Sequence, residues 1–378
     1  MDIRLYIHVP FCVKKCRYCN FTSYIYSETA ANAYFDSLLQ EIKLYSAALS
    51  PREKSLSSIF IGGGTPTCLP VQKLKAIINN VRESFHWLPG CEVTIEANPG
   101  TVDRQSLFEL RQAGANRVSL GVQAFQDCLL DRLGRIHTTA ETLEAVSAAR
   151  EAGFENLNMD LIFGIPGQTG EDWLETLSGV VSLSPEHISV YGLQLEEGTP
   201  MERAVARREL QLCSEELELF MYQAAIRYLT SRGYVHYEIS NFARPDRKSA
   251  HNLGYWLNQP YLGLGPGAHS YLRGERFANE TTLVGYAGRL SRGEMPVAAR
   301  EDGSVTVEMS ETVFLGLRLL KGIDLAAFYR RFGRRIEDVY GKEIVLLKEA
   351  GLVEVAGGYL RLTSKGLPVA NVVFMEFI

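Results

Sequence analysis

The sequence predicts an α/β fold: an open, partial (β/α)6 barrel followed by a small C-terminal helical, winged-helix-like domain. Three observations predict it. Short β-branched apolar runs alternate with longer stretches of helical period up to about residue 195. There are six such units, fewer than the eight of a closed barrel. Beyond about residue 308 the pattern turns helical and ends in a hairpin-like run. A doubly wound sheet is the alternative reading of the same alternation.

The strand-like runs are RLYIHV (4–9), SIFIGG (58–63), EVTIEA (92–97), RVSLGV (117–122), NLNMDLIFG (156–164) and HISVYG (187–192). Amphipathic stretches at 30–49, 70–85, 103–114, 139–152 and 170–182 separate them, and a further helix is expected at 214–232. Repeated β-then-α units imply parallel strands joined by right-handed crossovers. Residues 233–290 are rich in Gly, Pro and aromatics and read as loops with short strands. SETVFLGLRLL, LAAFYRRF and EIVLLKEAGL then precede LVEVAGGYLRLT, which reads as helices followed by a two-stranded wing. The expected division is a barrel over 1–235, a connecting segment over 236–300 and an accessory domain over 301–378. Winged modules often bind DNA. Here Arg330, Arg331, Arg334 and Arg335 are offset by Glu337, Asp338, Glu343 and Glu349, which favours a packing role.

A chain of 378 residues, 46% hydrophobic and 22% charged, has the bulk chemistry of an ordinary soluble globular protein. Its net charge of -5 speaks against the clustered Lys and Arg footprint of a nucleic-acid binder, so no nucleic-acid partner is expected. The start, MDIRLYIHVPFC, lacks a signal-peptide h-region, and no apolar run approaches the ~20 residues of a spanning helix, so a cytoplasmic location is expected. Seven cysteines, three of them within eight residues, do not form the pattern of a secreted disulfide framework. Metal or redox chemistry suits them better.

Cys12, Cys16 and Cys19 follow the first strand with Cys-x3-Cys-x2-Cys spacing. Three thiolates on a [4Fe-4S] cube leave one iron open, and an open iron can chelate an amino acid. The spacing also admits a zinc site with His8 as the fourth ligand. Further polar residues fall at the carboxyl ends of successive strands, where parallel barrels gather their sites: GGGTPT (62–67), Glu96, Gln123, Asp160 and Gln194. Each alone has a packing explanation. Glu96 could cap a helix, Asp160 could be a paired core carboxylate, and Gly62 to Gly64 could form a tight turn. Together, facing three cysteines, they point to a ligand. S-adenosylmethionine (SAM) offers amino and carboxylate groups for the open iron, a sulfonium, a ribose diol and an adenine. Glu96 suits the ammonium, Arg135 the carboxylate and Asp160 the ribose hydroxyls. One electron from the cluster would release a 5'-deoxyadenosyl radical, with the protein orienting SAM and excluding oxygen and water. The isolated Cys68, Cys91, Cys128 and Cys213 are expected to be small buried hydrophobes.

YIHVPFCVKKCRYCNF, GGGTPT, IEANPG, RVSLGVQAF, NMDLIFGIPGQT, YGLQLEEGTP, YEISNFARP and HNLGYW occur in that order along nearly the whole chain. In these motifs the sequence resembles the oxygen-independent coproporphyrinogen III oxidase (HemN-like) family of radical SAM proteins, and within it the HemW-type heme chaperones. The resemblance implies a partial barrel with a small C-terminal helical domain. It makes Cys12, Cys16 and Cys19 the cluster ligands and puts Tyr6 beside the SAM sulfonium. It assigns the SAM amino-acid end to Gly63, Gly64 and Thr65, and the remaining SAM contacts to Glu96, Gln123, Arg135 and Asp160.

Two departures from the true oxidases stand out. They carry a further cysteine in a Cys-x-Cys pattern, where this chain has Cys19-Asn20-Phe21, and they begin with an N-terminal extension, whereas Tyr6 lies almost at the start here. Both favour a heme carrier over coproporphyrinogen decarboxylation. A carrier implies heme or another tetrapyrrole, an acceptor hemoprotein such as a respiratory, membrane-associated one, and a low-potential electron donor. HNLGYW resembles the heme-associated motif of HemW-type proteins: His251 offers an imidazole to iron, and Tyr255 and Trp256 offer stacking faces. The same segment also reads as packing, with His251 and Asn252 hydrogen-bonding a loop while Tyr255 and Trp256 plug the open side of the barrel. His269, in GLGPGAHSY, admits the same two readings. A zinc-stabilised barrel without radical chemistry is the third reading.

Overall fold

The apolar runs become strands because each can bury one face under helices. In the computed structural model, which describes residues 2–301 and 303–378, six strands lie side by side in chain order. They are β1 (Ile3–Val9), β2 (Ser55–Gly63), β3 (His86–Ala97), β4 (Arg117–Gln123), β5 (Leu157–Phe163) and β6 (His187–Gly192). Each is parallel to the next. The crossovers are α1 (Glu28–Ala48), α2 (Val71–Ser84), α3 (Arg104–Ala113), α4 (Thr139–Glu151) and α5 (Gly170–Ser182), and α6 (Glu215–Ser231) follows β6. Side-chain oxygens fix most of the helix starts: Asp103, Thr138 and Thr169 form capping boxes, and Ser27 and Ser214 cap α1 and α6.

Strand alternation then separates two chemistries. Ile3, Leu5, Ile7 and Val9 of β1, Val93 and Ile95 of β3, and Val118, Leu120 and Val122 of β4 enter the main apolar core. The alternate residues, Arg4, Tyr6 and His8, Glu92, Thr94 and Glu96, and Arg117, Ser119 and Gln123, occupy the opposite face. That face is unusually polar for the inside of a barrel.

The stretch read as loops with short strands extends the sheet on both flanks. β7 (Val235–Glu238) and β8 (Asn241–Ala243) continue it antiparallel beyond β6. β9 (Tyr261–Leu264) pairs parallel with β1, and β10 (His269–Leu272), β11 (Glu275–Asn279) and β12 (Val297–Arg300) follow antiparallel. The result is an open twelve-stranded sheet in the order β12-β11-β10-β9-β1-β2-β3-β4-β5-β6-β8-β7. Glu41 of α1 ties down one flank. Its buried carboxyl accepts from Gly265 N–H at 2.8 Å, Asn279 Nδ2 at 2.7 Å and Tyr286 OH at 2.5 Å, and burial raises it to about 7.

Two short helices near the cysteine loop, Asp127–Leu133 and Pro200–Ala206, are absent from the sequence reading, as are Ala250–Trp256, Leu283–Ser291 and Ala370–Met375. Leu129, Leu130, Leu133 and Met201 join Ala124, Ile162 and Ile165 in a separate small core. The C-terminal domain comprises α7 (Val305–Gly316), α8 (Leu325–Phe332), α9 (Ile336–Glu349) and a wing, and has its own core around Val313, Leu360 and Val373. The wing has three strands rather than two, because β13 (Ile323–Asp324) pairs with β15 (Tyr359–Leu362), which also pairs with β14 (Val353–Ala356). Among the described residues, no helix is long and apolar enough to cross a membrane.

Candidate cluster and nucleotide site

The cysteine loop leaves β1 through Phe11–Cys12, which pairs with Tyr24–Ile25 and closes a loop over residues 13–23. The small core beneath it supplies the anchors. Arg17 N–H donates to Leu133 O at 2.9 Å and Met201 N–H donates to Arg17 O at 2.9 Å, so both short helices grip the loop. Asn20 Nδ2 donates to Glu196 Oε2 at 2.6 Å, fastening it to the segment after β6. Cys12, Cys16 and Cys19 are free and partly exposed. Burial raises the Cys12 and Cys19 thiols, and the charge of neighbouring cysteines raises them further, so the sulfurs lie close enough to feel one another. Thr65 Oγ1 donates to Cys12 Sγ at 3.8 Å and Arg135 Nη1 to Cys16 Sγ at 3.4 Å. Three free cysteines on one loop, with donors aimed at two of them, fit an iron cluster, whose cations favour the thiolate forms.

His8 turns both ring nitrogens to protein partners. Its Nδ1 pairs with Tyr6 OH at 2.9 Å and its Nε2 with Thr22 O at 2.8 Å, so neither ring nitrogen is left for a metal.

The GGGTPT turn brings main chain against both neighbours of the loop. Gly63 has φ +111°, a Cβ on Gly64 would lie 2.5 Å from Phe11 O, and one on Gly62 would lie 2.7 Å from Glu96 Oε2. Gly63 N–H donates to Glu96 Oε2 at 3.0 Å, and Thr65 N–H to Phe11 O at 2.6 Å. Glu96 stands high, at about 8. Burial is the main cause and the Asp160 carboxylate the next, opposed by Gly63 N–H and the charge of Arg117. Asp160 accepts from Ser119 Oγ at 3.0 Å and Asn158 Nδ2 at 2.8 Å. Two neighbouring carboxyl groups of this kind call for a cation, as an ammonium or a sulfonium would supply.

Arg135 donates through Nη2 to Gly121 O at 2.8 Å and to Asn98 Oδ1, while its Nε is buried without a partner. A guanidinium with a spare donor fits a carboxylate. Gln123 ends β4 at φ +67°, a left-handed conformation that non-glycine residues rarely adopt, beside a register shift between β4 and β5. Tyr6 is held by its bond to His8, and burial raises its phenol.

The HNLGYW segment lies elsewhere. It is a short helix, Ala250–Trp256, at the amino-terminal end of the strands, opposite the cysteine loop. His251 is 1% exposed. Its Nδ1 pairs with Ser58 Oγ at 2.9 Å and its Nε2 with Tyr255 OH at 2.9 Å, while burial and then the charges of Arg4 and Arg117 push it down to about 3. This is the packing arrangement that the sequence also admits, and an iron could reach the ring only by displacing one of those bonds. Tyr255 serves as the partner of His251, and Trp256 stacks under the Arg318 guanidinium at 4.2 Å. His269 and Gln194 are exposed. Cys91 is buried and Cys68 and Cys213 partly so, but Cys128 is exposed, against expectation, because the short helix carrying it buries Leu129, Leu130 and Leu133 instead. Asn98, Ser119 and Asn158 were missed, although the strand alternation and the Asn of IEANPG were available signals.

Residues 6–178 match the Radical SAM superfamily, and residues 304–369 match the HemN C-terminal domain. The chain is 35% identical over 376 residues to the heme chaperone HemW of Bacillus subtilis, covering 99% of this chain and 98% of the relative. It is 32% identical to the heme chaperone HemW of Escherichia coli K12, covering 100% and 98%. Among solved structures, coproporphyrinogen III oxidase (HemN) from Escherichia coli, described as a radical SAM enzyme, superposes with a TM-score of 0.85 at 27% identity, over 100% of this chain and 90% of that one. The chain therefore belongs to the HemW family of radical SAM proteins.

Proposed function

We propose that this chain is a cytoplasmic heme chaperone that holds a [4Fe-4S] cluster and SAM, binds heme and passes it to an acceptor hemoprotein. The observation that carries this reading is the likeness to named heme chaperones along 98% of their length. Cys12, Cys16 and Cys19 would hold three irons of the cluster. Glu96 would receive the SAM ammonium, Arg135 its carboxylate and Asp160 the ribose diol, with Gly63, Gly64 and Thr65 along the amino-acid end and Gln123 and Tyr6 completing the pocket. When bound and reduced by a low-potential donor, the cluster supplies one electron to the sulfonium. The chain's own residues orient SAM, and the polar inward face disposes charge around it. No nucleic acid takes part.

The test is anaerobic reconstitution followed by heme titration. About four irons and four sulfides per chain are expected, and Cys16→Ala should lose them. Zinc without sulfide in anaerobically purified protein would overturn the cluster. Heme should give a Soret shift that persists in His251→Ala, since that imidazole has both nitrogens engaged.

Coproporphyrinogen oxidation is the second reading, favoured by the 0.85 TM-score to the HemN oxidase. Phe21, an exposed side chain with no metal-binding atom, stands where the Cys-x-Cys pattern of the oxidases puts their additional cysteine. Coproporphyrinogen with SAM and a low-potential reductant should release no carbon dioxide under conditions in which a competent oxidase does.

A further inference from the structure

Among the charges on the inward face of the barrel is a deeply buried guanidinium that no carboxylate of the described residues pairs with directly. Arg117 opens β4 and is 2% exposed. Alternation sends Val118 and Leu120 into the apolar core and puts Arg117 on the same face as Ser119, the donor to Asp160. The hydrogen bond it makes is long, Nη1 to Thr94 Oγ1 at 3.5 Å, and its Nε is buried without a partner. Arg117 enters none of the ion pairs formed among the described residues. The histidines around it do not compensate: burial first, and then the Arg117 charge, hold His187 well below its ordinary range. His251 is pushed down in the same way, with Arg4 adding to the effect. Leaving a guanidinium buried and unpaired is costly unless an anion joins it.

The surroundings describe that anion. Nearer the cysteine loop the same inward face is partly open, with Tyr6, Phe60, Glu96 and Asp160 each partly exposed. Its carboxyl groups repel a second carboxylate at the level of Glu96 and Asp160 and leave Arg117 as the attractive position below. One wall is aromatic: the rings of Tyr6 and Phe60 lie 6.3 Å apart, and those of Phe60 and His251 5.2 Å apart. A guanidinium fork beside an aromatic wall suits an acid with a flat apolar body.

We propose that Arg117 is a carboxylate-binding site that receives a propionate arm of the tetrapyrrole. The identity of the ligand rests on the chaperone reading; the burial of an unpaired guanidinium does not.

Full-length protein with reconstituted cluster and SAM is titrated with protoporphyrin IX and, separately, with its dimethyl ester, following porphyrin fluorescence. Wild type should bind the free acid about 10- to 100-fold more tightly than the ester, the range of a charge-assisted hydrogen bond. Arg117→Gln should bind the acid as weakly as the ester, with ester affinity unchanged, and Arg117→Lys should retain part of the preference. Persistence of the full acid preference in Arg117→Gln overturns the assignment to Arg117 and leaves tetrapyrrole binding standing. Failure of wild type to bind either porphyrin overturns the tetrapyrrole reading, and this ligand with it. Thermal melting supplies the remaining control. Arg117→Gln should melt at or above the wild-type temperature, and a marked drop or loss of folding would mean that the guanidinium is structural, which also overturns the site.

Discussion

Glu96 and Asp160 face each other inside the barrel, and burial with that repulsion lifts Glu96 to about 8. A carboxyl raised from its usual 4.5 makes the native state bind more protons than the unfolded one, so this group lowers stability as pH rises from that range to about 8. A cation reverses the penalty by favouring the ionised form. SAM affinity should therefore climb with pH, by up to about tenfold per unit between about pH 6 and 8, and Glu96→Gln should flatten the profile. A flat wild-type profile in equilibrium binding would remove Glu96 as the ammonium partner. His251 carries a different expectation. Its truncation to alanine removes bonds to Ser58 and Tyr255 from a closed site and should cost about 2–4 kcal/mol in urea unfolding. The contrast shows what a sequence exposes at this scale. Glu96, Asp160 and the glycines after β2 interrupt apolar runs and so were legible. Arg117 was not, because an arginine opening a strand looks like a boundary. Nor was the burial of His251, whose partner Ser58 lies 193 positions away.

The cysteine loop illustrates the next scale, because its geometry is imposed by elements with no cluster chemistry of their own. Leu133 is fully buried in the small core under the loop, and its carbonyl receives Arg17 N–H. Leu133→Ala should cost about 2–5 kcal/mol and speed loss of iron on exposure to a chelator, with thermal melting and iron release followed together. Unchanged iron release in a destabilised variant would mean that the loop keeps its shape without this support. The long helices were readable because period and caps agree; α5 begins where Thr169 and Asp172 exchange bonds. Asp127–Leu133 and Pro200–Ala206, at seven residues each, offer too few turns for a period to show. The flanking strands β7 to β12, at three to five residues, gain their strand character from the edges they pair with.

At the scale of the molecule, polar links join the two apolar cores, and Arg318 is one of them, beside the Arg276–Glu311 ion pair and the bonds of Arg331 to Asn258 O and Tyr271 OH. Arg318 Nη2 lies 3.6 Å from Glu238 Oε2, its plane covers Trp256 at 4.2 Å, and its carbonyl receives Ile239 N–H at 3.1 Å. Glu238 is fully buried and also accepts from Ser240 N–H at 3.0 Å. None of this joint was legible in the sequence, since Glu238, Trp256 and Arg318 each lie in a separate run and share no motif. Burial raises the Glu238 carboxyl and Arg318 opposes that rise. Removing the guanidinium should therefore raise it further, with a penalty that is small where the carboxyl is protonated and grows as pH rises above the usual carboxylate range. Near neutral pH, Arg318→Ala should cost about 3–5 kcal/mol, as expected when one partner of a buried pair is deleted. It should also split denaturant unfolding into two transitions, with the C-terminal domain melting first. Arg289→Ala, which breaks a half-exposed pair with Glu280, should cost less than about 1 kcal/mol and leave a single transition. If Arg318→Ala instead unfolds in one step at the wild-type midpoint at both acidic and neutral pH, the remaining contacts, Arg276–Glu311 and the bonds of Arg331 among them, and not this buried charge, hold the two halves together.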